Sequence, residues 1–234
     1  SSDLTFATTD EHSVVALEEI QSVVQPFRVK MNREAMLRGA IALDVVQDEL
    51  DLAATGDHCL IERLPLDLRT RVDLDLRRVR VRSEDAIVEL VRGGETIDLG
   101  PSTANLWEGV VVGDPDSEVF LSESSAGIFG WVKAAGERFV LTSGDPRKNQ
   151  NLVVYSTSRI GQDLIEWSPF QCETPPMVGP VPESDQTDGG GGIAGDICMT
   201  VDIAMDSDNT FLGTFGGNED AAMAYMETLI AGAN

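Results

Sequence analysis

From residue 59 to about 157, apolar side chains recur at every second position, the spacing of strands that bury one face. The run RVDLDLRRVRV at 71–81 shows it best. Val72, Leu74 and Leu76 alternate with charged residues, the pattern slips by one at Arg77–Arg78, and Val79 and Val81 resume it. The slip predicts a β-bulge, with the arginines on the wet face of a half-buried strand. Alternating Arg and Asp there is ordinary solvation and cross-strand pairing, not an anion site. Further short apolar runs follow: AIVELV, WEGVVV, EVFLS, GIFGWVK, ERFVLT and NLVVYS. The turn signals RGGE, GDPDS, AAG and SGDPRKN separate them. Short strands so punctuated predict an antiparallel sandwich or barrel-like sheet. Trp107, Phe120, Phe129, Trp131, Phe139 and Tyr155 are its expected core aromatics, with packing as their default role.

The flanks read differently. Residues 1–58 are mixed: an extended FRVKM at 27–31 leads into NREAMLRGAIALDVVQDEL. There Asn32 is placed to cap a helix containing Met36, Leu37, Ala40 and Ile41. Residues 168–197 hold five prolines and six glycines with neither helical nor strand periodicity. They read as a linker, because such a stretch cannot bury enough apolar surface to offset its ordering entropy. Beyond it, ICMTVDIAMDSD reads as strand and turn. NEDAAMAYMETLIAGAN reads as a helix with Ala222, Met226, Leu229 and Ile230 on one side. Asn218 is its expected cap, and Glu219 and Asp220 suit the positive end of its dipole. A strand and helix of about 37 residues make no stable domain alone. The chain thus divides into 1–58, 59–167, a linker 168–197 and an incomplete unit 198–234.

Composition narrows the partners. The 234 residues carry a net charge of −23, a field that repels nucleic acid and anionic lipid. No run approaches the length of a membrane span. The sequence opens at Ser1 without a basic and then apolar leader, so a signal peptide is expected to be absent or removed. The charge is uneven. Eight of the 17 basic residues are arginines from Arg63 to Arg92, whereas residues 160–234 hold 13 acids and no Lys or Arg. Such acidity fits a surface solvated at high salt better than calcium binding. Asp206, Asp208 and Thr210 begin like a calcium loop, but Phe211 stands where glycine is needed and Gly217 where the closing glutamate belongs. The three cysteines, Cys59, Cys172 and Cys198, allow at most one internal bridge. His12 and His58 are the only histidines; both are expected at the surface, and neither belongs to an HExxH motif.

Two blocks resemble one family. LWEGVVVGDPDSEVFLSESSAGIFGWVKAAGERFVLT, residues 106–142, resembles the prodomain of reprolysin/adamalysin-type (ADAM-like, metzincin) zinc metalloproteases. Trp107, Gly109, Val110, Gly113, Ser117, Val119, Leu121, Gly127, Gly130 and Phe139 carry the likeness, the glycines read as hairpin-turn residues. VDIAMDSDNTFLGTFGGNEDAAMAYMETLIAGAN, residues 201–234, looks like the opening strand and first helix of the catalytic domain in bacterial members, through Asp208, Phe211, Phe215, Gly216, Gly217 and Asn234. The order of the blocks, with a Pro/Gly linker between, adds to the likeness. The family's HExxHxxGxxH, whose histidines hold zinc while the glutamate activates water, is absent.

The resemblance implies a secreted zymogen whose propeptide acts as a latency and folding module. Its partner is the peptidase domain of the same chain, and protein substrates belong to the parent enzyme. Zinc would sit in the catalytic part not included here, so no hydrolysis is expected of this chain. Cys172 is the candidate for a thiolate that occupies zinc's open position. A Cys172–Cys198 disulfide competes with it, closing a loop worth ~3 kcal/mol in the chain-entropy model. A passive free thiol is the third alternative. Asp202 is the candidate ligand of a structural calcium. The linker lacks Lys and Arg, so activation is expected at the Gly189–Gly192 run or its apolar flanks. The runner-up function is a non-enzymatic extracellular β-sandwich for adhesion or calcium binding. A hydrolase built on paired carboxylates ranks last, since no acid pair sits in a recognisable motif.

Overall fold

The computed structural model describes residues 20–82, 86–100, 102–144, 151–159, 207 and 209–233. Its strands are β1 (Ser22–Val24), β2 (Phe27–Lys30), β3 (Ala40–Val45), β4 (His58–Pro65), β5 (Arg71–Val79), β6 (Glu89–Arg92), β7 (Glu95–Asp98), β8 (Asn105–Val111), β9 (Asp114–Ser124), β10 (Gly127–Ala134), β11 (Glu137–Thr142) and β12 (Leu152–Ser156). Four helices accompany them: α1 (Arg33–Leu37), α2 (Gln47–Ala53), α3 (Asn209–Thr214) and α4 (Glu219–Ala233). Ten strands form one sheet in the order β1-β4-β5-β8-β9-β10-β11-β12-β3-β2, and β6–β7 is a separate hairpin.

That sheet curls. Its two ends lie on one stretch of chain, because β1 and β2 are separated only by Gln25 and Pro26. β1 pairs in parallel with β4 at one end, and β2 pairs antiparallel with β3 at the other. β2 also lies against β4. Proline lacks the donor a ladder needs, so the extended segment breaks at Pro26 and changes partners there. The mainly β, barrel-like expectation holds in this coarse form.

The interior follows the period-two pattern. Leu74, Leu76, Trp107, Leu121, Val132, Leu141 and Val154 point inward and are nearly inaccessible. Leu50 and Ala53 of α2 join the same cluster. Arg78 caps that helix, its Nη1 donating to the Ala54 carbonyl at 3.0 Å, where the dipole favours a cation. The same guanidinium reaches Asn105 Oδ1 at 2.5 Å, and Asn105 donates to Glu123 at 2.7 Å.

Three local expectations need correction. The helix expected over 32–50 is split. Asn32 does cap α1, accepting from the N–H groups of Glu34 and Ala35. However, α1 ends within two turns at Gly39, whose φ of +76° is left-handed. Ala40 and Ile41 then enter β3, where pairing to both β2 and β12 outweighs the good helical propensity of alanine, a contribution of only a few tenths of a kcal/mol, about 0.5 at most, per residue. There is also no bulge at Arg77–Arg78, because β5 keeps regular register with β4 and β8 through that point. The irregularities lie at Ile61/Leu64 and at Gly109/Val111. Finally, His58 is buried rather than at the surface, its Nε2 lying 2.7 Å from Asp75 Oδ1.

Candidate functional site

The absence of a bulge in β5 exposes the site. Leu74, Leu76 and Arg78 share the inner face, so Val79 and Val81 must lie on the outer one. There they pack with Leu106, Phe120 and Trp131 against Ala231 of α4. The apolar alternation changes face because a helix covers the outside of the sheet at this end. The described residues 209–233 form one compact unit with the sheet.

α4 is built to approach closely. Asn218 caps it, with Oδ1 accepting from the Ala221 N–H at 3.1 Å. Ala221, Ala224, Thr228 and Ala231 recur every three or four residues, so they share one helical face, and all are buried. Their small size brings the helix down onto β9. The expected apolar side of Ala222, Met226, Leu229 and Ile230 is therefore not the main buried face. Ala222 is buried under α3, but Leu229 is 48% exposed.

At the near end α3 folds back beside α4. Phe211, Phe215 and Tyr225 form an aromatic group with Phe129 of β10, at centroid separations of 5.2–6.4 Å. Edge and tilted geometries of this kind add about 1 kcal/mol per pair beyond area burial.

The polar contacts are more specific. Each of the three carboxylates of α4 has a partner elsewhere. Glu219 meets Arg92 of the β6–β7 hairpin. Asp220 accepts from Ser125 Oγ at 2.5 Å, from Thr103 Oγ1 at 2.8 Å and from the Thr103 N–H at 3.3 Å. Burial pushes its carboxyl up, but these hydrogen bonds together outweigh it and hold it below the ordinary 3.8. Glu227 accepts from Ser102 and lies 3.4 Å from Arg82. Arg82 in turn donates to the carbonyls of Gly100 and Ala86. One buried pair fixes register: Thr228 donates to the Ala224 carbonyl at 2.8 Å, which leaves its oxygen to accept from Ser122 at 2.6 Å.

Beside the last turn of α4 lies an open cleft of about 340 Å³, bordered by Glu108, Glu118, Phe120, Trp131, Ala231 and Gly232. Arg138 stacks over Trp131 at 5.0 Å from the ring centroid, and Lys133 pairs with Glu118 at 2.5 Å. Ser117 at the edge accepts from the Val111 N–H at 2.7 Å and donates to the Asp114 carbonyl at 2.5 Å.

Cys172, Cys198 and Asp202 lie outside the described residues, as do the linker 168–197 and the strand expected after it. Cys59 is an unbridged thiol in the core, pushed up to about 11 by burial and then by the nearby charge of Asp75. Adjacent residues of a strand face opposite ways, so Cys59 and His58 are not a nucleophile and base. Among the described residues no group of three or more His, Cys, Asp or Glu could hold a metal ion. No helix among them is long and apolar enough to cross a membrane.

Sequence reasoning missed the docking residues. Their signals were faint: the hydroxyl-rich stretches around Ser102–Thr103 and Ser122–Ser125, and three acids in an otherwise apolar helix. No family model and no curated protein matches the chain.

Proposed function

We propose that the β-barrel is a propeptide-type latency and folding module, and that residues 198–234 are the opening of a secreted zinc metalloendopeptidase that the module holds. One observation carries this reading. The segment after the linker buries its helix on the outside of the barrel, with every carboxylate of α4 met by a group from the barrel side. The order of the two sequence blocks supports the same assignment. The module's partner is then the peptidase domain. Zinc, its histidine ligands and the protein substrates belong to that domain. On this reading Cys172 supplies the thiolate of latency or, with Cys198, a tether, and Asp202 is a calcium ligand. The adhesion alternative gains no support from the three acids of α4, which face arginines, hydroxyls and a backbone N–H group.

The test is inhibition in trans. The chain, its own helix kept off the barrel by Ala224→Leu, is titrated against a zinc peptidase whose opening strand and helix carry residues 201–234. Stoichiometric loss of chelator-sensitive peptide hydrolysis is expected, with no such hydrolysis from the chain alone. Unchanged hydrolysis at saturating chain would refute the reading.

A further inference from the structure

We infer that the outer face of β8–β10 is a receptor for one kind of helix, and that it holds α3–α4 without the covalent connection through residues 161–207. This deepens the proposed function and rests on it for the identity of the partner.

Three independent features define what the face accepts. The first is charge. Arg82 and Arg92 stand over a segment whose described residues include no Lys or Arg, and they meet its acids at positions eight apart, Glu219 and Glu227. The second is shape. Ala224 is wholly inaccessible, so no larger side chain fits between helix and sheet at that point. The third is register. Sliding the helix by a turn would separate Ser122 from Thr228 and leave the buried Ser122 hydroxyl without this partner. A fitting partner therefore has acids in its first turn, small residues every third or fourth position, and a Glu-Thr pair two turns further on. None of these contacts depends on the linker. Anchors hold the first turn of α4 and the stretch two turns further on, and come from four separate stretches: Arg82, Arg92, Ser102–Thr103 and Ser122–Ser125. A helix so held stays bound when the connecting chain is cut, and an equivalent helix competes for the same face.

The experiment uses the full chain with a specific protease sequence inserted at Gly189–Gly192. After cleavage, the two pieces are expected to co-elute in size exclusion at micromolar concentration. A labelled synthetic peptide of residues 207–234 should exchange into the complex. Ala224→Leu should abolish retention, Glu227→Gln should weaken it roughly tenfold, and Leu229→Ala should leave it unchanged. All three changes lie on the helix, so far-UV circular dichroism of the β piece reports barrel integrity separately. Separation of the pieces on cleavage overturns the inference, whether the barrel stays folded or not. So does undiminished retention of Ala224→Leu. Inhibition by the uncut Ala224→Leu chain is measured in parallel. If uncut chain inhibits while cut chain falls apart, this inference fails and the latency reading stands.

Discussion

Gly109→Ala should be among the most damaging single-methyl changes available in this chain. Gly109 sits mid-strand in β8, opposite Leu76 of β5 and beside an irregularity in the β8–β9 register. Its backbone is not left-handed, so conformational freedom is not what the position requires. Space is. A Cβ there would lie 1.9 Å from the Asp75 carbonyl oxygen, where ordinary contact begins at 3.4 Å, leaving about 1.5 Å to be made up. The obstacle is backbone and cannot rotate away. Opening β5 from β8 by that much takes ladder hydrogen bonds from about 2.9 Å to beyond bonding distance. Each bond broken in the interior leaves groups unsatisfied at about 1–3 kcal/mol apiece. Two such bonds bring the expected loss to about 4 kcal/mol or more, a large fraction of a domain's stability. Gly113→Ala is the matched control. Gly113 has φ +84° at the β8–β9 turn, and its Cβ would meet nothing within 4 Å. Only left-handed strain applies, about 1 kcal/mol. Urea unfolding followed by tryptophan fluorescence measures both. Equal midpoints for the two variants, or a Gly109→Ala loss within 1 kcal/mol of the parent, would refute the argument.

Other expectations follow from the same geometry. Thr228→Val keeps shape but strands the Ser122 hydroxyl, and should cost about 1–3 kcal/mol in the same urea assay. In a Cys172→Ser/Cys198→Ser variant, Cys59 should resist a thiol reagent at pH 8 while folded and react fully in denaturant. Burial and a pKa pushed up to about 11 both suppress its thiolate. Asp220 gives a pH dependence. Its folded pKa lies below the ordinary 3.8, so its contribution is fully present above that value and fades as pH falls through the lower folded one. Asp220→Asn should therefore flatten the acid limb of stability, read as melting temperature between pH 5 and about pH 2. Parallel acid limbs for variant and parent would count against it. Thiol counting in denaturant without reductant decides the disulfide: three free thiols exclude a Cys172–Cys198 bridge.

Much of the barrel was legible because burial on one face writes itself as alternation. Leu74 and Leu76, Val132, Leu141 and Val154 occupy the interior as their spacing predicts. The turns were legible too, since Gly93–Gly94 and Ala135–Gly136 take the positive φ that hairpin turns demand. What alternation cannot say is which side of a sheet is covered. Phe120, Trp131 and Phe129 alternate like core residues, yet they lie on the outer face under α4 or beside it. Gly109 and Gly130 read as turn glycines and are instead points of close strand approach.

The slip at Arg77–Arg78 concentrates both lessons. Read in one dimension, two adjacent charges between alternating apolars mean an inserted residue. In the fold no residue is inserted. The inner face ends in Arg78, which leaves the core to cap α2, while the outer face gains Val79 and Val81 because α4 begins to cover it there. A second packing partner had written its presence into β5 from about 140 residues away in sequence. Its own sequence concealed the match. A helix that docks through Ala221, Ala224, Thr228 and Ala231 turns Leu229 outward, so the apolar side read from the sequence is not the one that docks. Small size marks where the helix touches the sheet, and the three carboxylates mark what holds it there. That division of labour is why the hydroxyls and arginines around the barrel mark the docking face along with its outer aromatics.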